Sequence, residues 1–256
     1  LADGGQATLN LGGVIKKDVT IENGSLHYFG GKVEGNLNMN GDTRGVARID
    51  LGTHWNNGDE LSVHSINMKS YGAIALAGMN MRVNGGQEAG DPILKGIGLA
   101  GSGILEVSGG GTLSLDASGT HTGDIDVSSS SLVLNAVNAL GTRGTLNAKN
   151  VMMIVNEDQD KNIAGSDLTM VTSGTKTVNW NGAITLDHLL VDGDLNLASS
   201  GSVIDFLELS SGAFASTGKG VNTFGDILAH AGSSAVFNKT DQVGGKVQTE
   251  AVTGDS

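Results

Sequence analysis

The phrase Gly103-Ile104-Leu105-Glu106-Val107-Ser108 returns twenty residues later as Gly123-Asp124-Ile125-Asp126-Val127-Ser128. Nineteen residues after Gly111-Thr112-Leu113-Ser114-Leu115, the chain reads Ser130-Ser131-Leu132-Val133-Leu134. Each phrase is an apolar-polar-apolar triplet bounded by Gly or Ser. A period of two marks a strand with one buried side, and Gly/Ser runs mark turns. Two short strands recurring about every twenty residues describe a coil that stacks on copies of itself. The expected fold is therefore all-β, a β-solenoid of parallel coils.

Triplets of this kind occur along almost the whole chain. Early ones are Thr8-Leu9-Asn10-Leu11, Val19-Thr20-Ile21 and Leu37-Asn38-Met39; late ones are Ile184-Thr185-Leu186, Leu195-Asn196-Leu197 and Leu207-Glu208-Leu209. With roughly 20 to 24 residues per coil, 256 residues make roughly 11–12 coils. At about 4.8 Å per layer the body is roughly 55 Å long. Residues 1–256 read as one solenoid segment, and the ends, Leu1-Ala2-Asp3-Gly4-Gly5 and Thr249 to Ser256, suggest that it is cut from something longer. Loop excursions are expected at 84–92, which holds the single Pro, and at the polar stretch 156–162. A short helical turn is expected around Asp226 to His230.

Composition narrows the function classes. Gly numbers 41, far above the usual ~7 %, yet it has no period of three and Pro is 1, which excludes collagen. The 38 % of hydrophobic residues sits in ordered triplets, unlike a disordered tract. A net charge of −12 disfavours nucleic acid and anionic membrane surfaces as partners. No stretch approaches the eighteen apolar residues of a membrane helix. Cys is 0, which fits either a reducing compartment or an exported chain that must remain unfolded in transit.

The stretch Leu113-Ser114-Leu115-Asp116-Ala117-Ser118-Gly119-Thr120-His121-Thr122-Gly123-Asp124-Ile125-Asp126-Val127, continued by Ser131-Leu132-Val133-Leu134-Asn135-Ala136-Val137-Asn138-Ala139-Leu140-Gly141, resembles the repeats in passenger domains of Gram-negative autotransporters. The shared elements are Thr-x-Thr-Gly before a strand, Leu-x-Leu, and Asn-Ala-Leu-Gly. His121 stands where the family usually has an aromatic residue. The resemblance implies a right-handed parallel β-helix exported through the outer membrane to the cell surface. It also implies a role in adhesion or cell-cell self-association, as in aggregation, biofilm formation and virulence. No membrane barrel is encoded here, since regular alternating ten-residue segments are missing.

Several constellations resemble chemical sites. Gly96-Ile97-Gly98-Leu99-Ala100-Gly101 matches Gly-x-Gly-x-x-Gly, but a dinucleotide site needs a strand before it and a helix after it, and here another strand follows. Gly254-Asp255-Ser256 resembles a serine-nucleophile turn without an evident His and Asp arrangement. Asn156-Glu157-Asp158-Gln159-Asp160-Lys161-Asn162, with Asp167 beyond, spaces oxygens like a calcium loop, although Lys161 replaces the required Gly. His27, His54, His64, His121, His188 and His230 have no metal spacing and read as outward or turn positions. Asp124/Asp126 and Asp192/Asp194 put paired carboxylates on an outward strand face, an arrangement able to do acid/base work on a polysaccharide. Trp55, Trp180, Tyr28 and Tyr71 are too scattered to form a sugar-binding row.

No residue is therefore assigned as catalytic, cofactor-binding or metal-ligating, and no cofactor is expected. The leading expectation is a non-enzymatic adhesin or self-associating surface module. Its expected partner is a host surface glycan or protein, or an identical passenger on a neighbouring cell. The alternatives are a stalk that displays another domain and a carbohydrate-active β-helix enzyme.

Overall fold

The computed structural model describes residues 6–10, 13–22, 24–29, 32–33, 35–39, 48–51, 60–63, 66–68, 71–76, 80–83, 98–172 and 176–250. Among these, all regular structure is β-strand and every strand pairing is parallel, so the chain is a β-solenoid. The two repeats found in the sequence stack in the register they suggest, Leu105 on Ile125 and Val107 on Val127, Leu113 on Leu132 and Leu115 on Leu134. Such parallel pairing satisfies each strand's amides and carbonyls from the layers above and below.

Each coil supplies strands to three faces. On the second face, Glu60–Val63, Asn80–Val83, Thr112–Leu115, Ser131–Leu134 and Val151–Val155 stack in succession. The C-terminal halves of Asn162–Thr172, Ile184–Asp192, Val203–Ser211 and Thr223–Ala229 follow, then Val247–Thr249, about nine turns in all. The first face runs through Arg48–Leu51, Tyr71–Ala75, Ile104–Ser108, Ile125–Ser128 and Thr145–Lys149 into the N-terminal halves of the same long strands. Ser25–Phe29 and Gln6–Asn10 extend it by two further layers at the other end. The first-face ladder thus runs from Gln6–Asn10 to Gln242–Val243, and the solenoid makes about nine turns where 11–12 coils were expected.

The third face is built from Val19–Ile21, Leu37–Met39, Ile66–Met68 and Leu99–Gly101. It resumes later as Val178–Trp180, Leu195–Leu197, Ala213–Ser216 and Ser234–Val236. Between these two stacks the backbone still pairs from coil to coil: the Thr120 and Thr122 amides donate to the Leu99 and Gly101 oxygens, both at 2.8 Å.

Alternation places both apolar ends of each triplet in the interior, as with Leu105 and Val107 or Leu132 and Leu134. Leu105, Ile125 and Leu146 form one buried column, and Leu113, Leu132 and Met153 another. Burying one such side chain is worth about 1.5–3 kcal/mol, yet a single coil cannot enclose it, so stability depends on neighbours. The motif glycines have a steric cause. A Cβ on Gly123 would collide with the Gly103 carbonyl of the coil below, and one on Gly141, at φ +80°, would meet the His121 carbonyl.

Two expectations are settled differently. Asp226 to His230 is no helical turn, because Phe224 and Ile227 face the core from the strand Thr223–Ala229. In segment 156–162 an isolated bridge joins Gln159 to Trp180, and Gln159 and Lys161 are turned fully inward. His121 is buried, not outward. The stretch 84–92 lies outside the described residues.

Candidate functional site

The paired carboxylates have partners that explain them. Asp124 accepts the Thr145 amide of the next coil at 2.8 Å, and Asp194 accepts that of Ala213 at 2.8 Å. Asp18, Asp158 and Asp226 do the same for Asn36, Asn179 and Lys246. An Asp at a corner therefore takes an amide that the strand ladder has left over. Asp126 receives the Asn147 side-chain amide at 2.6 Å, and Asp192 the Ser211 hydroxyl at 2.5 Å. All four carboxylates thus tie one coil to the next.

Side-chain ladders extend the same principle. Asn135 donates to Asp116 and Asn156 to Asn135, both at 2.6 Å. Elsewhere Asn179 donates to Asp158, Asn196 to Asn179, and Thr217 to Asn196. The calcium-like stretch is dispersed by this arrangement. Asn156 and Asp158 belong to two different ladders, Lys161 points inward, and Asp167 lies on the first face, 3.7 Å from His188. Among the described residues no three His, Cys, Asp or Glu side chains converge in a way that holds a metal ion. The glycine motif likewise joins strand to strand, Leu99–Gly101 to Ile104–Ser108, with no helix to receive a pyrophosphate. Gly254, Asp255, Ser256, His54, His64 and Trp55 lie outside the described residues. Trp180 is fully buried, and its indole N–H donates to the Lys161 oxygen at 2.8 Å.

Two polar assemblies escaped the sequence reading. The first is internal. Lys161 is wholly buried, and its ammonium donates to the main-chain oxygens of Gly123 and Arg143. Burial lowers its pKa to about 8, against a smaller opposite effect of Asp124. His121 lies nearby with Nδ1 3.3 Å from the Ala100 oxygen and no partner at Nε2. Burial, and then the Lys161 charge, lowers its pKa. The second assembly runs along the outside: Nε2 of His188 and Nε2 of His230 both face Glu208, at 3.2 and 2.8 Å, and Nδ1 of His230 faces Glu250 at 2.9 Å. These residues recur at steps of 20 to 22, the coil length, which is the signal that would have revealed them.

A groove of about 480 Å³ lies along the edge where the first face turns toward the second. One rim is a register column, Glu106 on Asp126 on Asn147. The opposite rim carries Ser108, Ser128 and Lys149. Val107, Val127 and Ala148 send their side chains into the core, leaving main chain along the floor, and Gly165 lines the far end. The bend has a backbone origin: Gly109, Gly110, Ser129 and Asn150 all take positive φ at this corner. A volume of this size, with polar groups at fixed spacing, suits a small ligand or a segment of a linear one.

No family model, curated protein or solved structure matches this chain.

Proposed function

We propose that the chain is a surface-exposed passenger segment of autotransporter type that works without catalysis, in adhesion or cell-cell self-association. The observation that carries this reading is the outward polar surface, in which Asp, Asn and Thr repeat on successive coils at a spacing of about one coil. A rigid array of this kind suits many parallel weak contacts. Each is worth about 1 kcal/mol or less net, and avidity comes from their number. The resemblance of residues 103–141 to autotransporter passengers supplies the expected location, the cell surface.

Sedimentation velocity over a wide concentration range tests the reading. Concentration-dependent, salt-sensitive association of rods, together with attachment of cells displaying the chain, is the expected result. A rod that remains monomeric and fails to attach would leave the stalk as the better reading. One observation favours that second reading: the outward carboxylates are spent on coil-to-coil bonds, as a stiff spacer requires.

A further inference from the structure

We infer that the groove beside Glu106 and Asp126 is a binding site for a linear, hydroxyl-rich oligosaccharide carrying protonated amino groups. This rests on the adhesion reading and gives it a site and a ligand class. Three features of the groove select that chemistry.

The first is direction. Glu106, Asp126 and Asn147 succeed one another in register along the solenoid axis, as do Ser128 and Lys149 on the other rim. Successive rim groups are therefore about 4.8 Å apart, and the groove repeats along its length. A linear polymer running along the axis meets a polar group at every step. A compact ligand would use one step only.

The second is hydrogen-bonding capacity. Carboxylate, carboxamide and hydroxyl groups line the rims, and main chain rather than bulky side chains lies between them. Vicinal hydroxyls both donate and accept, so they can satisfy acceptors on one rim and hydroxyls on the other. An apolar peptide segment would desolvate the Glu106 carboxylate and the acceptor capacity that Asp126 keeps beside its 2.6 Å bond from the Asn147 amide, which is costly.

The third is charge. Two carboxylates in adjacent layers, Glu106 and Asp126, occupy one end of the groove, and Lys149 occupies the other. The chain as a whole carries −12. A sulfated or carboxylated glycan is repelled by this field, whereas an ammonium is attracted to the Glu106 and Asp126 end. Lys149 opposes an amine at its own end.

Titration calorimetry at low ionic strength with the β-1,4-linked glucosamine tetrasaccharide tests the site. Saturable binding is expected, and the fully N-acetylated tetrasaccharide should bind about tenfold or more weakly, as loss of a charge-assisted hydrogen bond implies. Glu106→Gln should weaken the amino form by a similar factor while the melting temperature stays unchanged. Lys149→Glu should strengthen it. Equal binding of both tetrasaccharides, tighter binding of a heparin-derived tetrasaccharide, indifference to Glu106→Gln, or no saturation would overturn the assignment. Sedimentation and cell attachment with the same Glu106→Gln protein separate this from the broader reading. Self-association without tetrasaccharide binding removes the groove site alone. Tetrasaccharide binding by a monomeric rod that attaches to no cell removes the adhesive role alone.

Discussion

Lys161 and Gly123 are thirty-eight residues apart in the chain, yet the buried Lys161 ammonium donates to the Gly123 oxygen at 2.8 Å. Because the same ammonium also donates to the Arg143 oxygen of the intervening coil, one side chain clamps three layers. The clamp has a cost, since burial disfavours the charge and lowers the pKa from 10.5 to about 8. Between those values the unfolded chain holds a proton that the folded chain has released. Stability therefore rises with pH from about 8 to 10.5, by at most about 3 kcal/mol. Melting temperatures measured across pH 7 to 11 should show this rise, and Lys161→Met should flatten it. An unchanged slope in the variant would refute the assignment.

His121 gives the complementary dependence on the acid side. Its imidazole is buried next to Lys161, and its folded pKa lies below 6.5. Above 6.5 both states are neutral. As pH falls through 6.5 the unfolded state takes up a proton first, and stability is lost until the lower folded pKa is reached. His121→Phe should remove that loss while keeping the fold, because the slot is interior and Nε2 has no partner to lose. Comparing melting curves of the two proteins between pH 7 and 4.5 decides the matter; parallel declines would count against it.

These two residues mark where sequence reading stopped. Pairing of Leu105 with Ile125 and of Leu113 with Leu132 was legible because apolar alternation of period two leaves a single register that buries every Leu and Ile. The stretch of the third face between Leu99–Gly101 and Val178–Trp180 was not legible. Thr120-His121-Thr122 and Gln159-Asp160-Lys161 carry no apolar alternation, and a polar residue gives no sign of whether a backbone acceptor awaits it inside. Gln159 turns inward because the Ala136 and Glu157 oxygens accept its amide at 2.8 and 3.0 Å, groups that exist only once the coils are stacked. The aromatic position of the resemblance was the one available hint, since an aromatic there would be buried as His121 is. The groove was hidden for a similar reason. It depends on positive φ at Ser129 and Asn150, residues that are equally common in ordinary turns.

At the C-terminal end, His230 lies between Glu208 and Glu250, with one ring nitrogen facing each. Neutral imidazole has one N–H and can donate to only one of them, whereas the protonated ring serves both. The hydrogen bond to Glu208, followed by that to Glu250, raises its pKa above 6.5. The resulting stabilisation is complete below pH 6.5 and disappears as pH rises through the folded value. An NMR titration of the His230 ring should show this raised midpoint. Glu208→Gln should lower it more than Glu250→Gln, and equal or absent shifts would contradict the geometry.

The corner carboxylates offer the most direct contrast between structural and chemical roles. Asp194 accepts the Ala213 amide across the gap between coils. Asp194→Ala should lower stability by about 1 kcal/mol, and Asp194→Asn should recover most of it, because a carboxamide oxygen still accepts. Asp192→Asn should behave in the same way, as the Ser211 hydroxyl can donate to either group. If these carboxylates instead performed acid/base chemistry on a glycan, the Asn variants would retain stability and lose turnover. Denaturant unfolding of the Ala and Asn forms, run beside a hydrolysis assay on a broad glycan panel, distinguishes the two. Stability that follows the acceptor oxygen, with no turnover in any form, identifies these Asp residues as coil ties.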